Sequence, residues 1–214
     1  FNITKHEYYM QQQEICHLFE YQTWSKAFLS QLKNRAKQSV KRDVTPNFIA
    51  HELVTFLQNS KIIRPNHLTL QRIISQILKE ERARLCACLK TRLKPLHRKK
   101  LNQLLKTEST LSELAALKQD AKDFNSDVMR NERRKHEILK PLYTIAKKVL
   151  PHLKISKQNI DYYASLANYY TVSDLERFNE EQRYLYLLCY AFKRYQQVRH
   201  PRQSRWLDEC CRPK

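Results

Sequence analysis

Leu68–Leu89 reads LTLQRIISQILKEERARLCACL, and its spacing decides the fold class. Leu70, Ile73, Ile74, Ile77, Leu78, Leu85 and Leu89 recur at steps of three and four, which places them on one face of an α-helix. Thr69 is a candidate cap for this helix, and Pro95 interrupts it. Upstream, Thr45-Pro46 supplies an N-cap followed by proline at the first helical position. Phe48, Ile49, Leu53, Phe56 and Leu57 then share a face until Asn59-Ser60 and the turn Arg64-Pro65-Asn66. Downstream of Pro95, Leu101, Leu104 and Leu105 form a shorter apolar face.

The same periodicity continues toward the C-terminus. A helix is expected from about Ser126 to Val149, burying Met129, Ile138, Leu139, Leu142, Ile145, Ala146 and Val149, with a kink or break at Pro141. Another starts at Ser156 and turns Ile160, Tyr163, Ala164 and Ala167 inward. Asn179-Glu180-Glu181-Gln182 has the form of a capping box for a last helix ending near Gln197. No stretch of useful length alternates apolar and polar residues, so the expected fold is all-α: multi-helical bundles with helix-turn-helix-like arrangements and no sheet.

Composition agrees. The chain of 214 residues has no glycine, which removes the usual means of building phosphate-cradling loops and dinucleotide folds. It carries 40 Lys+Arg against 21 Asp+Glu, a net charge of +19, and such an excess attracts polyanions. A basic surface can also be merely solvated, so the position of the charge matters more than its sum. Arg82 to Lys106 holds Arg82, Arg84, Lys90, Arg92, Lys94, Arg98, Lys99, Lys100 and Lys106 without a single Asp or Glu. Tyr21 to Arg42 is also acid-free and holds Lys26, Lys33, Arg35, Lys37, Lys41 and Arg42. Elsewhere, as in Asn131–Glu137, signs alternate in the manner of a solvated, ion-paired face.

These stretches make nucleic acid the expected partner, with Lys33, Arg35, Lys41, Arg42, Arg72, Arg82, Arg84, Lys90, Arg92, Lys94, Arg98, Lys99 and Lys100 as the contact residues. Arg35, Gln38, Gln71, Arg72, Gln76 and Asn102 have the chemistry to read base edges. The tyrosines at 162, 163, 169, 170, 184, 186, 190 and 195 could stack on bases, but their helical spacing favours core packing. No membrane partner is expected: the most apolar stretch, Tyr184 to Phe192, is far short of the ~20 residues that span a bilayer. Phe1 to Tyr21 is polar, unlike a secretory signal, so a cytoplasmic location is expected.

Catalytic patterns are missing. Cys16, Cys86, Cys88, Cys189, Cys210 and Cys211 fit no zinc spacing, and free thiols are expected. Glu80-Glu81, Glu180-Glu181 and Asp208-Glu209 are sequence neighbours that point to different sides of a helix, which does not suit two-metal chemistry. There is no HExxH, and GxSxG and Walker motifs require glycine. The chain is therefore expected to carry no cofactor and no catalytic site.

Lys154 to Val198 contains ISKQNIDYYASL, YYTVSDL and RYLYLLCYAFKRYQQ. Together with KIIRPNHLTLQRII (61–74), EERARL (80–85), LNQLL (101–105) and LKQDAKDFNSDVMRNERRKHEILKPLY (117–143), they resemble the N-terminal region of Tn-three family transposases. The resemblance covers most of residues 1–198 and is weakest over the first 40. It implies a region that recognises the terminal inverted repeats of a class II replicative transposon. It also implies that catalysis belongs to a separate RNase H-like domain, where three acidic residues hold divalent metal. No position here matches that acidic motif.

The expected organisation is an N-terminal helical DNA-binding portion (1–60), a DNA-binding and linking region (61–198) with its basic segment at 82–106, and an irregular tail (199–214). The tail, RHPRQSRWLDECCRPK, departs from the family pattern and reads as out of frame. That departure, with Phe rather than Met at position 1, suggests a truncated product. Duplex DNA with terminal repeats is the expected partner, and a second copy of the chain is a further one. The alternatives are a helical dimerisation or assembly domain whose charge is incidental, and an RNA-binding helical protein.

Overall fold

The computed structural model describes residues 4–22, 25–106, 112–120 and 125–198. Ten α-helices are present among them: α1 (Lys5–Leu18), α2 (Lys26–Arg42), α3 (Pro46–Asn59), α4 (His67–Arg92), α5 (Pro95–Gln103), α6 (Glu113–Lys118), α7 (Ser126–Val149), α8 (Lys157–Tyr169), α9 (Val172–Arg177) and α10 (Glu180–Val198). No sheet forms among the described residues; Gln22 and Ile62 make one isolated bridge. The all-α expectation holds. The tail from 199 onward lies outside the described residues. Two compact units are formed, Phe1–Glu81 and Arg82–Lys214.

In the first unit, α2 and α3 pack together across a three-residue connection, Asp43-Val44-Thr45. Leu32, Ala36 and Val40 of α2 and Ile49, Leu53 and Leu57 of α3 are almost wholly buried, as are Ile73 and Ile77 of α4. Thr45 stands at the N-cap of α3 with Pro46 at the first helical position, as read from sequence. Its side chain does not bond the helix, however. Asp43 Oδ1 accepts from the Thr45 N–H at 2.7 Å and from its hydroxyl, closing an Asx-type turn. At α4 the cap expectation fails by three residues: Asn66, not Thr69, accepts the Leu68 N–H at 2.9 Å. Asparagine after the turn proline can reach the first free donors, whereas Thr69 already lies inside the helix.

In the second unit, α10 is the centre. Tyr184 to Ala191 are all buried, and α7 and α8 pack against this helix. α7 has the limits expected from sequence and does not break at Pro141. A proline inside an isolated helix costs about 3 kcal/mol because it removes a hydrogen bond and crowds the preceding turn. Burial of Leu139, Leu142, Ile145, Ala146 and Val149 on the α10 side offsets that cost. The alternating charges of 131–137 are only partly a solvated face. Arg133 and Glu137 pair at 3.3 Å in solvent, but Lys135 is buried and donates to the Gln119 carbonyl at 2.5 Å and to Glu132 at 2.6 Å.

The tyrosines are mostly core. Tyr143 stacks on Tyr195 with centroids 4.4 Å apart and on Phe192 at 5.3 Å, and Tyr163 stacks on Tyr186 at 5.7 Å. Such pairs contribute about 0.5–1.5 kcal/mol each beyond area burial. Tyr169 is exposed at 83%, and Tyr8, Tyr9 and Tyr21 of the first unit are exposed as well.

Candidate nucleic-acid interface

α5 is the shortest route from sequence to a charged surface. Pro95 presets its first turn, and Leu101 anchors it in the core of the second unit. His97, four residues before Leu101, forms a second side with Lys94 and Lys100 beside it. Arg98, Lys99 and Asn102, with Lys106 beyond the end of the helix, form a third.

The second side faces α7. His97 is held below the ordinary imidazole range, first by burial and then by the positive charges of Lys94, Lys100 and Lys148. The Lys94 N–H donates to His97 Nδ1 at 3.4 Å, which needs that nitrogen unprotonated. His97 is thus a neutral ring inside a ring of cations. Lys148 joins the cluster from 51 residues beyond His97, and nothing in the α7 sequence singles it out.

The third side borders a groove of about 450 Å³ shared with Glu180 and Tyr184 at the start of α10. Here part of the charge is committed. Lys90 lies 3.7 Å from Glu181, and Arg98 donates to the Lys90 carbonyl at 3.1 Å. Arg92, Lys94, Lys99 and Lys148 are exposed and Lys100 is half-buried, and among the described residues none of the five has a carboxylate partner. A cluster of unpaired cations at the end of α4, on α5 and on α7 is suited to polyanion phosphates.

The remaining expected contact residues fall elsewhere. Arg84 extends both terminal nitrogens to the Leu153 carbonyl at 3.3 Å, a structural role, and Arg82 is half-buried with Nε enclosed. In the first unit, Glu52 draws in Arg35 at 3.1 Å and also Arg42, whose guanidinium lies over the Phe48 ring. Burial opposes ionisation of Glu52, but the two arginines outweigh it and hold the carboxyl below its usual range. Lys37 pairs with Glu80 at 3.6 Å. Lys33 is half-buried on α2, Lys41 is exposed there, and Arg72 is exposed on α4 beside Gln71. The basic stretch 21–42 is therefore extensively charge-paired, and the stretch 82–106 is not. Of the candidate base readers, Gln38, Gln71 and Arg72 are exposed, while Gln76 donates to Glu80 at 2.9 Å.

Cys16, Cys86, Cys88 and Cys189 are free, and burial pushes the Cys86 thiol up to about 11 and raises Cys189 as well. Protonated thiols are poor nucleophiles. Among the described residues no three His, Cys, Asp or Glu side chains gather as metal ligands. No helix among them is long and apolar enough to cross a membrane.

Residues 2–77 match a family model described as "Domain of unknown function (DUF4158)", a domain found in Tn-three family transposases. The match covers a little over a third of the chain and nearly coincides with the first compact unit. No curated protein matches the chain.

Proposed function

We propose that this chain is a helical DNA-binding region of a transposase, which engages the terminal inverted repeats of its element during DNA transposition. The observation that carries the proposal is the set of unpaired cations around α5, joined by Lys148 of α7. The family match over the first unit and the resemblance of 154–198 to Tn-three transposases point to DNA as the polyanion. In this proposal Arg92, Lys94, Lys99, Lys100 and Lys148 bind phosphates and set register. Polar residues nearby, Asn102 foremost, are then placed to meet base edges. The cutting and joining chemistry belongs to a separate metal-dependent domain of the transposase.

The test is fluorescence anisotropy with three probes of equal length: a duplex carrying the terminal repeat, a scrambled duplex, and a structured RNA. The proposal expects the repeat duplex to bind tightest at about 0.15 M salt, with affinity that falls as salt rises. Preference for the RNA moves the function to RNA binding.

A second function is favoured by one observation. α1 and the turn after it expose Tyr8, Tyr9, Met10, Leu18 and Phe19, each at 49–75%. Apolar exposure of that extent suits assembly with another protein surface. Sedimentation of the chain alone separates the two functions, since assembly predicts self-association or a partner requirement and DNA binding does not.

A further inference from the structure

A third acid-free stretch runs from Ile138 to Ile160 and holds Lys140, Lys147, Lys148, Lys154 and Lys157. All five lysines are exposed, and among the described residues none has a carboxylate partner. Lys148 already belongs to the cluster around α5, through His97. Lys140 and Lys147 lie two turns apart on the exposed side of α7. Beyond Val149 the chain makes a 3₁₀ turn, Leu150–Leu153, then passes Lys154 and enters α8 at Lys157. At about 2 Å per residue, that turn puts Lys154 only about 10 Å past the end of α7. The turn is anchored to α4. Arg84 donates both terminal nitrogens to the Leu153 carbonyl at 3.3 Å, and Cys88 Sγ donates to the His152 carbonyl at 3.7 Å.

Helix electrostatics explains only part of this charge. Lys147 and Lys148 lie in the last turn of α7, where the negative end of the helix dipole favours cations. Lys157 lies in the first turn of α8, where the positive end disfavours them and no acidic residue compensates. Lys154 takes φ 50° and ψ 44°, a left-handed conformation that asparagine adopts more readily than lysine. Two of the lysines therefore stand where the fold gains nothing from a lysine. Local choices of that kind point to a function outside folding, and binding phosphate is one that needs the charge. The layout suits an extended polyanion. α7 rises about 12 Å from Lys140 to Lys148, and with the turn the lysines spread over as much as about 20 Å, or about six steps of one duplex strand.

We infer that Lys140, Lys147, Lys154 and Lys157 form a second phosphate-binding surface, which follows the DNA backbone outward from α5 along α7 and the turn after it. The inference rests on the reading of α5 as a DNA-binding surface and adds four backbone contacts to it. Contacts of this kind strengthen binding and carry no sequence information.

The experiment is a set of salt titrations of the full chain with the terminal-repeat and scrambled duplexes, read by fluorescence anisotropy. The variants are Lys140→Gln with Lys147→Gln, Lys154→Gln with Lys157→Gln, and Lys154→Asn alone. Each double variant should flatten the slope of log K against log salt by about 1.8 and bind about 60-fold more weakly at 0.1 M salt, equally on both duplexes. Lys154→Asn should have a Tm at least equal to the parent, because asparagine tolerates the left-handed backbone, yet bind about eight-fold more weakly. A purely structural lysine would not give that split. Parental slopes in both double variants, with a flattened slope when Lys94, Lys99 and Lys100 are replaced by glutamine, overturn the inference and leave α5 standing. A parental slope in all of these variants, or no salt-dependent binding of the parent to duplex, overturns the reading of α5 and this inference with it.

Discussion

Replacing Lys94, Lys99 and Lys100 together by glutamine isolates the charge of α5 from its packing. None of the three carries an ion pair or lies in the core, so the fold should survive with a change within about 0.5 kcal/mol. The effect on DNA is much larger. If Arg92, Lys94, Lys99, Lys100 and Lys148 each neutralise one phosphate, the slope of log K against log salt is about −4.5, at about −0.9 per contact. Affinity then falls about 500-fold between 50 and 200 mM salt. The triple variant keeps two contacts, so its slope drops to about −1.8, and at 0.1 M salt it binds about 500-fold more weakly than the parent. Anisotropy titrations at four salt concentrations measure both quantities. A variant that folds and retains the parental slope refutes the placement of the interface on α5.

Three further outcomes follow from particular contacts. Glu52→Gln leaves Arg35 and Arg42 without their shared carboxylate and should cost about 0.5–1 kcal/mol in urea unfolding at pH 7. Because the folded-state pKa of Glu52 is lowered, its contribution is present above the ordinary carboxylate pKa and is lost as pH falls through the folded value. The variant should therefore show a flatter acid limb between about pH 5 and 3. His97 is kept neutral by burial and by Lys94, Lys100 and Lys148, and an incoming phosphate raises its pKa. Binding should therefore tighten as pH drops from 7.5 to 6, and His97→Gln should abolish that dependence in the same titration. Leu188→Ala, at the wholly buried centre of α10, should cost about 2–5 kcal/mol, read by urea denaturation of the full chain.

What sequence could and could not reveal follows from the range of each interaction. The extent of α7 was legible because its apolar spacing is local: Leu139, Leu142, Ile145, Ala146 and Val149 are buried as expected, whereas Met129 and Ile138 are only half-buried and the cap at Asn125, which accepts the Val128 N–H at 2.9 Å, went unread. α8 was legible for the same reason, with Ser156 accepting the Asn159 N–H at 3.1 Å. The short helices α6 and α9 were not, since six residues give too few turns for a period to emerge. α1 has no clear apolar face and carries the run Gln11-Gln12-Gln13, so its sequence reads as merely polar.

The candidate interface was half legible. The acid-free run 82–106 marked α5, but an acid-free run does not show which cations are paired across space. Glu52 binds Arg35 from 17 residues away and Arg42 from 10, and this is what sets the stretch 21–42 apart from α5. Lys148 looks like an ordinary solvated lysine until α7 packs beside α5. Tyr190 and Arg194 look like core and surface residues of one amphipathic helix, and only the packed structure shows Tyr190 Oη and Arg194 Nε enclosed without a partner.

The most direct test of α5 as the DNA-binding surface is photo-crosslinking of the full chain to a terminal-repeat duplex with bromodeoxyuridine placed along the repeat, followed by peptide mapping. A DNA interface on α5 predicts cross-links concentrated in 92–106 and around Lys148, competed by unlabelled repeat duplex and not by an equal amount of scrambled duplex. Cross-links confined to α2 and α3, or none above a scrambled-duplex control, contradict it.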